Sequence, residues 1–225
     1  MYHTVLLDAD NTLFDFDKAE DFSLRRALDF FRLSYREEDL SFYKEQNSFL
    51  WKQLEKGLIS FKELQATRFH PLLQRLQVSV DPSLFNQRYL DYLGNSHFLM
   101  PDALTVCRSL SQITTLVIVT NGISRVQRNR LRLSSLSPYI SSCFVSEEIG
   151  YSKPQKEFFS IVFQTLGIEQ LSDVLMVGDS LSSDIQGGSS AGIDCCWYCP
   201  QGGISPIPCR YQISSLKELI PIVSS

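Results

Sequence analysis

Four continuous apolar runs punctuate the chain, Thr4 to Leu7, Thr115 to Val119, Val174 to Val177 and Ile193 to Tyr198, with a weaker fifth at Ser142 to Val145. Unbroken apolarity, as opposed to strict alternation, is the pattern of strands covered on both faces. Helix-period segments separate the runs, and strands alternating with helices predict an α/β fold built on a doubly wound parallel sheet. In such sheets ligands bind beyond the carboxyl ends of the strands. Asp8 and Asp10 follow the first run, Thr120, Asn121 and Gly122 the second, and Gly178, Asp179 and Ser180 the fourth. The topology is expected to bring all three groups to one crevice.

Between the first and second runs lie about 95 residues, far more than a parallel crossover needs. That interval reads as an inserted α-helical unit. Ala19 to about Leu33 and Glu38 to Leu54 have helical spacing, the latter closing near Gly57. Ser60 with Glu63 makes a capping box, Asp81-Pro82 an N-cap followed by proline at the first helical position, and Gly94 a C-cap. The expected division is a core of 1–15 and 101–225 and a helical cap of 16–100. Hinges at Phe16 to Lys18 and Asn95 to Pro101 would let the cap close as a lid.

Composition narrows the partners. With 225 residues and 44% hydrophobic content the chain can bury a real core, and a net charge of −4 disfavours nucleic acid polymers and anionic membranes. The one basic run, starting at Ile123 and carrying Arg125, Arg128, Arg130 and Arg132, reads as the solvated face of a helix. No apolar stretch approaches the ~20 residues of a membrane helix and no leader pattern opens the chain, so a cytoplasmic location is expected. We expect a monomer or weak dimer. Six cysteines read as reduced thiols. The group Cys195, Cys196, Cys199 and Cys209 lacks paired metal-site spacing, and adjacent Cys195 and Cys196 would point to opposite faces of a strand.

The strand-end residues suit one chemistry. Carboxylates at i and i+2, Asp8 and Asp10, leave a strand's end toward one small volume, where two anions need a cation or a proton. One carboxylate can act as a nucleophile when a divalent metal neutralises the anion it attacks, while the other exchanges protons with leaving group and water. Asp179 suits the metal, with Asp184 behind it. Thr120, Asn121 and Gly122 offer a hydroxyl, an amide and backbone donors to an anion. Lys153, placed just before Pro154 at an expected helix start, supplies the fixed cation. No glycine-rich dinucleotide fingerprint is present.

The sequences DADNTL, IVTNG, the lysine of SKP and VGDSLSSD resemble, in this order, motifs one to four of the haloacid dehalogenase superfamily, specifically its phosphatases with a helical cap. The resemblance implies a Rossmann-like core with an inserted cap, Asp8 as a nucleophile forming an aspartyl phosphate, and Asp10 as general acid and then general base. It further implies Thr120 and Lys153 holding the phosphoryl group and Mg²⁺ bound by Asp8, the Asp10 carbonyl and Asp179, with Asp184 orienting metal-bound water. The stretches FLWKQLEKGLISFKELQATRF and GGSSAGIDCCWY are similar to the pyrimidine 5′-nucleotidase branch. That likeness implies a small phosphate monoester as substrate, a nucleoside 5′-monophosphate with a pyrimidine preferred. Trp51, Lys52 and Arg68 are the candidate cap contacts. Phe14 and Phe16 would either stack a base or pack a hinge.

Alternatives stay open at this level. A sugar phosphate phosphatase or a phosphomutase would use the same motifs. Dehalogenation needs neither Asp10 nor a metal-binding Asp179. A phosphorylated receiver would not carry the large insertion after Asp8, and an inactive interaction protein would have little reason to keep so many charged groups together.

Overall fold

The computed structural model describes residues 1–224. The chain forms two compact units, Met1–Phe16 together with the chain from His97 on, and Asp17–Ser96. The first holds a six-stranded sheet of β1 (Thr4–Leu7), β2 (Thr115–Thr120), β3 (Ser142–Val145), β4 (Val174–Gly178), β5 (Asp194–Tyr198) and β6 (Tyr211–Ile213). Its order is β3-β2-β1-β4-β5-β6, and every neighbouring pair is parallel. All five apolar runs became strands. β6 escaped notice because it is a three-residue edge strand with exposed Gln212 at its centre, too short to show a period.

Side chains divide between the two faces as the pleat requires. Val5, Leu7, Ile118, Val177 and Cys196 pack with Ala103, Val106, Leu110, Leu219 and Val223 on one side. Leu6, Val117, Val119, Met176 and Cys195 pack with Phe158, Phe159 and Val162 on the other. Adjacent Cys195 and Cys196 thus fall on opposite faces, and all six cysteines are free thiols. Burial on both faces is what made the strands read as unbroken apolar runs.

The second unit is helical, built from the remainder of Phe16–Phe30 and from Glu37–Glu55, Phe61–Thr67, His70–Arg75 and Pro82–Asn95. Two start signals are realised. Ser60 Oγ accepts from the Glu63 N–H at 3.2 Å while Glu63 Oε2 accepts from the Ser60 N–H at 2.7 Å, and Asp81 Oδ1 accepts from the Ser83 N–H at 2.8 Å ahead of a helix opening on Pro82. Gly94 is not a C-cap. It lies buried inside the last turn, the helix runs on to Asn95, and the cap residue is Ser96, because tertiary burial outweighed glycine's local preference for ending a helix.

The centre of this unit is aromatic. Tyr43 stacks on Phe69 with centroids 4.8 Å apart, and Phe69 meets Phe85 at 4.8 Å and Tyr89 at 5.1 Å. Arg68 is buried among them, its guanidinium 4.9 Å from the Tyr89 ring centre and hydrogen-bonded to Asn86 Oδ1. Glu20, also buried, accepts from Asn47 Nδ2 at 2.8 Å. No helix among the described residues is long and apolar enough to cross a membrane.

Candidate active site

The parallel register carries three strand ends to one edge of the sheet. Leu7 of β1 lies beside Ile118 of β2 on one side and Val177 of β4 on the other. The residues just beyond, Asp8, Thr120 and Asp179, are therefore neighbours, although more than 50 residues separate each from the next. Asp8 is tied to the sheet by its N–H, which donates to the Val177 carbonyl at 2.9 Å.

Lys153 joins them from the segment after β3. Its ammonium is 1% exposed and spends all three donors, on Asp8 Oδ1 at 2.6 Å, Asp184 Oδ1 at 2.6 Å and the Val119 carbonyl at 2.8 Å. Burial opposes its charge, but Asp184 and Asp8 outweigh that cost and hold its pKa above the ordinary lysine value. Pro154 lies in the turn before the helix, which opens at Lys156, so the lysine is fixed by its partners and not by a helix start. Asn121 supplies that fixing. Its side-chain amide donates to the Lys153 carbonyl at 2.8 Å and accepts from the Lys153 N–H at 2.9 Å. The Asn121 amide, expected to help seat an anion, thus commits its oxygen and one of its two N–H donors to the lysine's main chain. Thr120 is buried at the end of β2, and its hydroxyl oxygen accepts from the Gly122 N–H at 3.1 Å.

Asp8, Asp179 and Asp184 each offer a carboxylate oxygen, and these lie within 4.8 Å of one another. Burial pushes the Asp8 carboxyl well up, Lys153 pulls it down, and the carboxylates of Asp184, Asp179 and Asp10 push it up again. Asp179 is pushed up to about 7, first by burial and then by Asp184. Three carboxylates beside one ammonium leave two negative charges uncompensated at full ionisation. A group of hard oxygen donors in that deficit fits a magnesium ion. Asp184 also accepts from the Ser180 N–H at 3.1 Å, and a Cβ on Gly178 would sit 2.1 Å from its Oδ2, so only glycine leaves room for this carboxylate.

Asp10 takes a different set of partners. Its two oxygens are held by Arg130 and by Gln127 Nε2, the latter at 2.6 Å. Neither partner was foreseen, and the basic run was misread as wholly solvated: Arg130 is fully buried in the helix Ser124–Leu133. The signal was present, since Ile123, Val126, Gln127 and Arg130 fall at i, i+3, i+4 and i+7, the buried stripe of a helix, and two of the four are polar.

The remaining candidates are placed differently. Phe14 is 1% exposed and packed in the core of the first unit, with the Arg130 guanidinium 4.6 Å from its ring centre. Phe16 opens its helix half-buried, its N–H donating to Asn11 Oδ1 at 3.0 Å. Arg68 is closed off within the aromatic centre of the helical unit, which corrects its reading as an open contact. Trp51 is half-buried, edge-on to Phe61 at 6.2 Å, and Lys52 is exposed.

Comparison with known proteins places the chain in a family. Residues 2–192 match the haloacid dehalogenase-like hydrolases. The pyrimidine 5′-nucleotidase PynA of Streptococcus pneumoniae is 38% identical over 200 residues, covering 88% of this chain and 84% of that protein. The pyrimidine 5′-nucleotidase YjjG of Escherichia coli is 33% identical over 220 residues, 96% of this chain and 95% of that one. A crystal structure of the HAD-hydrolase YfnB from Bacillus subtilis bound to magnesium superposes with a TM-score of 0.92 at 37% identity, over 100% of this chain and 99% of that one.

Proposed function

Because the chain belongs to the haloacid dehalogenase-like hydrolases, we propose that it is a Mg²⁺-dependent phosphatase of nucleoside 5′-monophosphates, pyrimidines preferred, working through an aspartyl phosphate. The observation that carries the chemistry is the buried group of Asp8, Asp184 and Lys153 with the Asp179 carboxylate beside it. The two nucleotidases of similar sequence along most of the chain support the substrate class.

In this reading Asp8 attacks phosphorus, forming a carboxylate–phosphorus bond while the ester P–O bond breaks. The departing oxygen keeps the electron pair and takes a proton from Asp10. Asp10, now a carboxylate, removes a proton from the water that hydrolyses the aspartyl phosphate, which restores both acids. Lys153 holds Asp8 in place and lays a positive charge where the phosphoryl oxygens gather negative charge. The Thr120 hydroxyl, whose oxygen accepts from the Gly122 N–H, contributes its own proton as a hydrogen bond to the same oxygens. Asp8, Asp179 and the Asp10 carbonyl would hold Mg²⁺, whose charge offsets the phosphate's when bound.

Phosphate release measured with Mg²⁺ on a panel of nucleoside 5′-monophosphates and sugar phosphates tests the reading, with Asp8→Asn protein as the blank. Pyrimidine monophosphates are expected to be hydrolysed best, the blank to lose on the order of 10⁴-fold or more, and EDTA to stop turnover until Mg²⁺ is restored. Release from sugar phosphates alone would keep the mechanism and discard the nucleotide. Turnover undiminished by EDTA, or retained in Asp8→Asn, would overturn the mechanism.

A further inference from the structure

Asp10 sits in a cradle that Asp8 lacks. One carboxylate oxygen is bound by the Arg130 guanidinium and the other by Gln127 Nε2 at 2.6 Å, both from the helix Ser124–Leu133. Arg130 is fully buried, and burying an arginine is costly unless its charge is matched. Its guanidinium lies over the Phe14 ring at 4.6 Å, and Phe14 belongs to the same tight loop as Asp10. That loop is closed by the Asn11 N–H to the Phe14 carbonyl at 2.7 Å and by the Leu13 and Phe14 N–H groups to the Ala9 carbonyl at 3.0 and 2.8 Å. The helix therefore grips the loop twice, once at the acid and once at the aromatic ring four residues on.

The cradle also explains a glycine. A Cβ at residue 122 would stand 2.2 Å from Gln127 Nε2 and 2.9 Å from its Cδ, while the Gly122 φ is not in the left-handed region. Gly122 is needed there for space, so that Gln127 can pass beside the strand-end turn and reach Asp10. Gln127 is 3% exposed, and its Oε1 has no hydrogen-bond partner among the described residues. Among the described residues its buried amide makes its hydrogen bond to Asp10.

We propose that Arg130 and Gln127 are positioning residues for Asp10, holding its carboxyl group in the one orientation from which it can hand a proton to the departing oxygen. This rests on the acid-base role proposed above for Asp10. The alternative is that Arg130 is a structural charge and Asp10 its counter-ion. The two differ in what they predict for leaving groups. Protonating the leaving group matters for an ester whose alkoxide is a poor leaving group, and matters little for one whose phenolate departs without help. Loss of a positioning residue should therefore damage the alkyl ester selectively, whereas a structural lesion should damage both alike.

The test compares kcat/KM for a nucleoside 5′-monophosphate with that for p-nitrophenyl phosphate in the wild type and in Arg130→Met, Arg130→Lys and Gln127→Met. A positioned general acid contributes about 10²–10⁴-fold, so the alkyl-to-aryl ratio is expected to fall about 100-fold in Arg130→Met and about 10-fold in Gln127→Met. Arg130→Lys, which keeps the charge without the planar fork, should recover part of the ratio. In an Asp10→Asn background the Arg130→Met change should move the ratio by less than about twofold, because residues acting as one unit are not additive. Should Arg130→Met fail to fold by circular dichroism, Gln127→Met and Arg130→Lys carry the test. A ratio within about twofold of wild type in every folded variant, or an undiminished Arg130 effect in the Asp10→Asn background, would overturn the proposal. A wild type that hydrolyses neither ester would instead remove the phosphatase reading beneath it.

Discussion

In the core unit the buried Lys153 lies between Asp8 and Asp184, with ion pairs at 2.6 Å to each. In the helical unit Glu20 and Arg68 are also buried, yet each is hydrogen-bonded to a neutral amide: Glu20 accepts from Asn47 and Arg68 donates to Asn86. The consequences are opposite. Lys153 is held charged by its acids, whereas the Glu20 carboxyl is pushed up to about 7, mainly by burial and despite the Asn47 hydrogen bond. An amide supplies one hydrogen bond but no countercharge, so it compensates only part of the loss of water. Charge that must persist for chemistry is matched by charge. A buried carboxyl such as Glu20, which no ion pair matches, is pushed toward keeping its proton.

The largest break in this contrast is expected from Lys153→Met. Removing the ammonium leaves Asp8 and Asp184 buried without their shared partner, and stripping one member from a buried ion pair costs about 3–5 kcal/mol. Urea unfolding at neutral pH should show that loss, and phosphate release should fall below detection; a variant as stable as wild type would mean that the lysine is not the counter-ion of both acids.

The next effect is a pH dependence from Glu20. Its folded pKa of about 7 exceeds its ordinary value of 4.5. Below pH 4.5 both folded and unfolded chains keep the proton. As pH rises toward 7 the unfolded chain releases it while the folded chain retains it, so stability falls with rising pH, by about 3 kcal/mol in all once above 7. Glu20→Gln should flatten this part of the profile and be the more stable protein at pH 8. Denaturation midpoints of both proteins between pH 5 and 8 check it, and parallel profiles would show that Glu20 is ionised in the folded protein.

The smallest effect is expected at Lys52, which is exposed on the helix Glu37–Glu55. Lys52→Ala should change stability by no more than about 0.5 kcal/mol. Its KM sharpens the role of the helical unit. A raised KM with unchanged stability would mark Lys52 as a substrate contact, and an unchanged KM would leave it a solvated charge.

Much of the fold was legible because parallel strands buried on both faces must be apolar throughout, a constraint strong enough to mark β1 to β5 in the sequence alone. The strand-end acids, Lys153 and the helix-start signals at Ser60 and Asp81 were legible for a similar reason, since each is set by chemistry within a few residues of itself. The sequence by itself therefore determined β1 to β5 of the sheet, the inserted helical unit and the residue types gathered at the strand ends.

Tertiary structure alone decided how those residues share their bonds. It committed the Asn121 amide to the Lys153 main chain, buried Phe14 beneath Arg130, closed Arg68 into an aromatic centre, and turned one arginine of an apparently solvated run inward to Asp10. Each of these is a contact between residues distant in sequence or a choice among side chains of equal local propensity. Helical spacing marked the stripe on which Arg130 lies. Only the loop carrying Asp10, packed against that stripe more than 100 residues away along the chain, gave the buried arginine a matching charge.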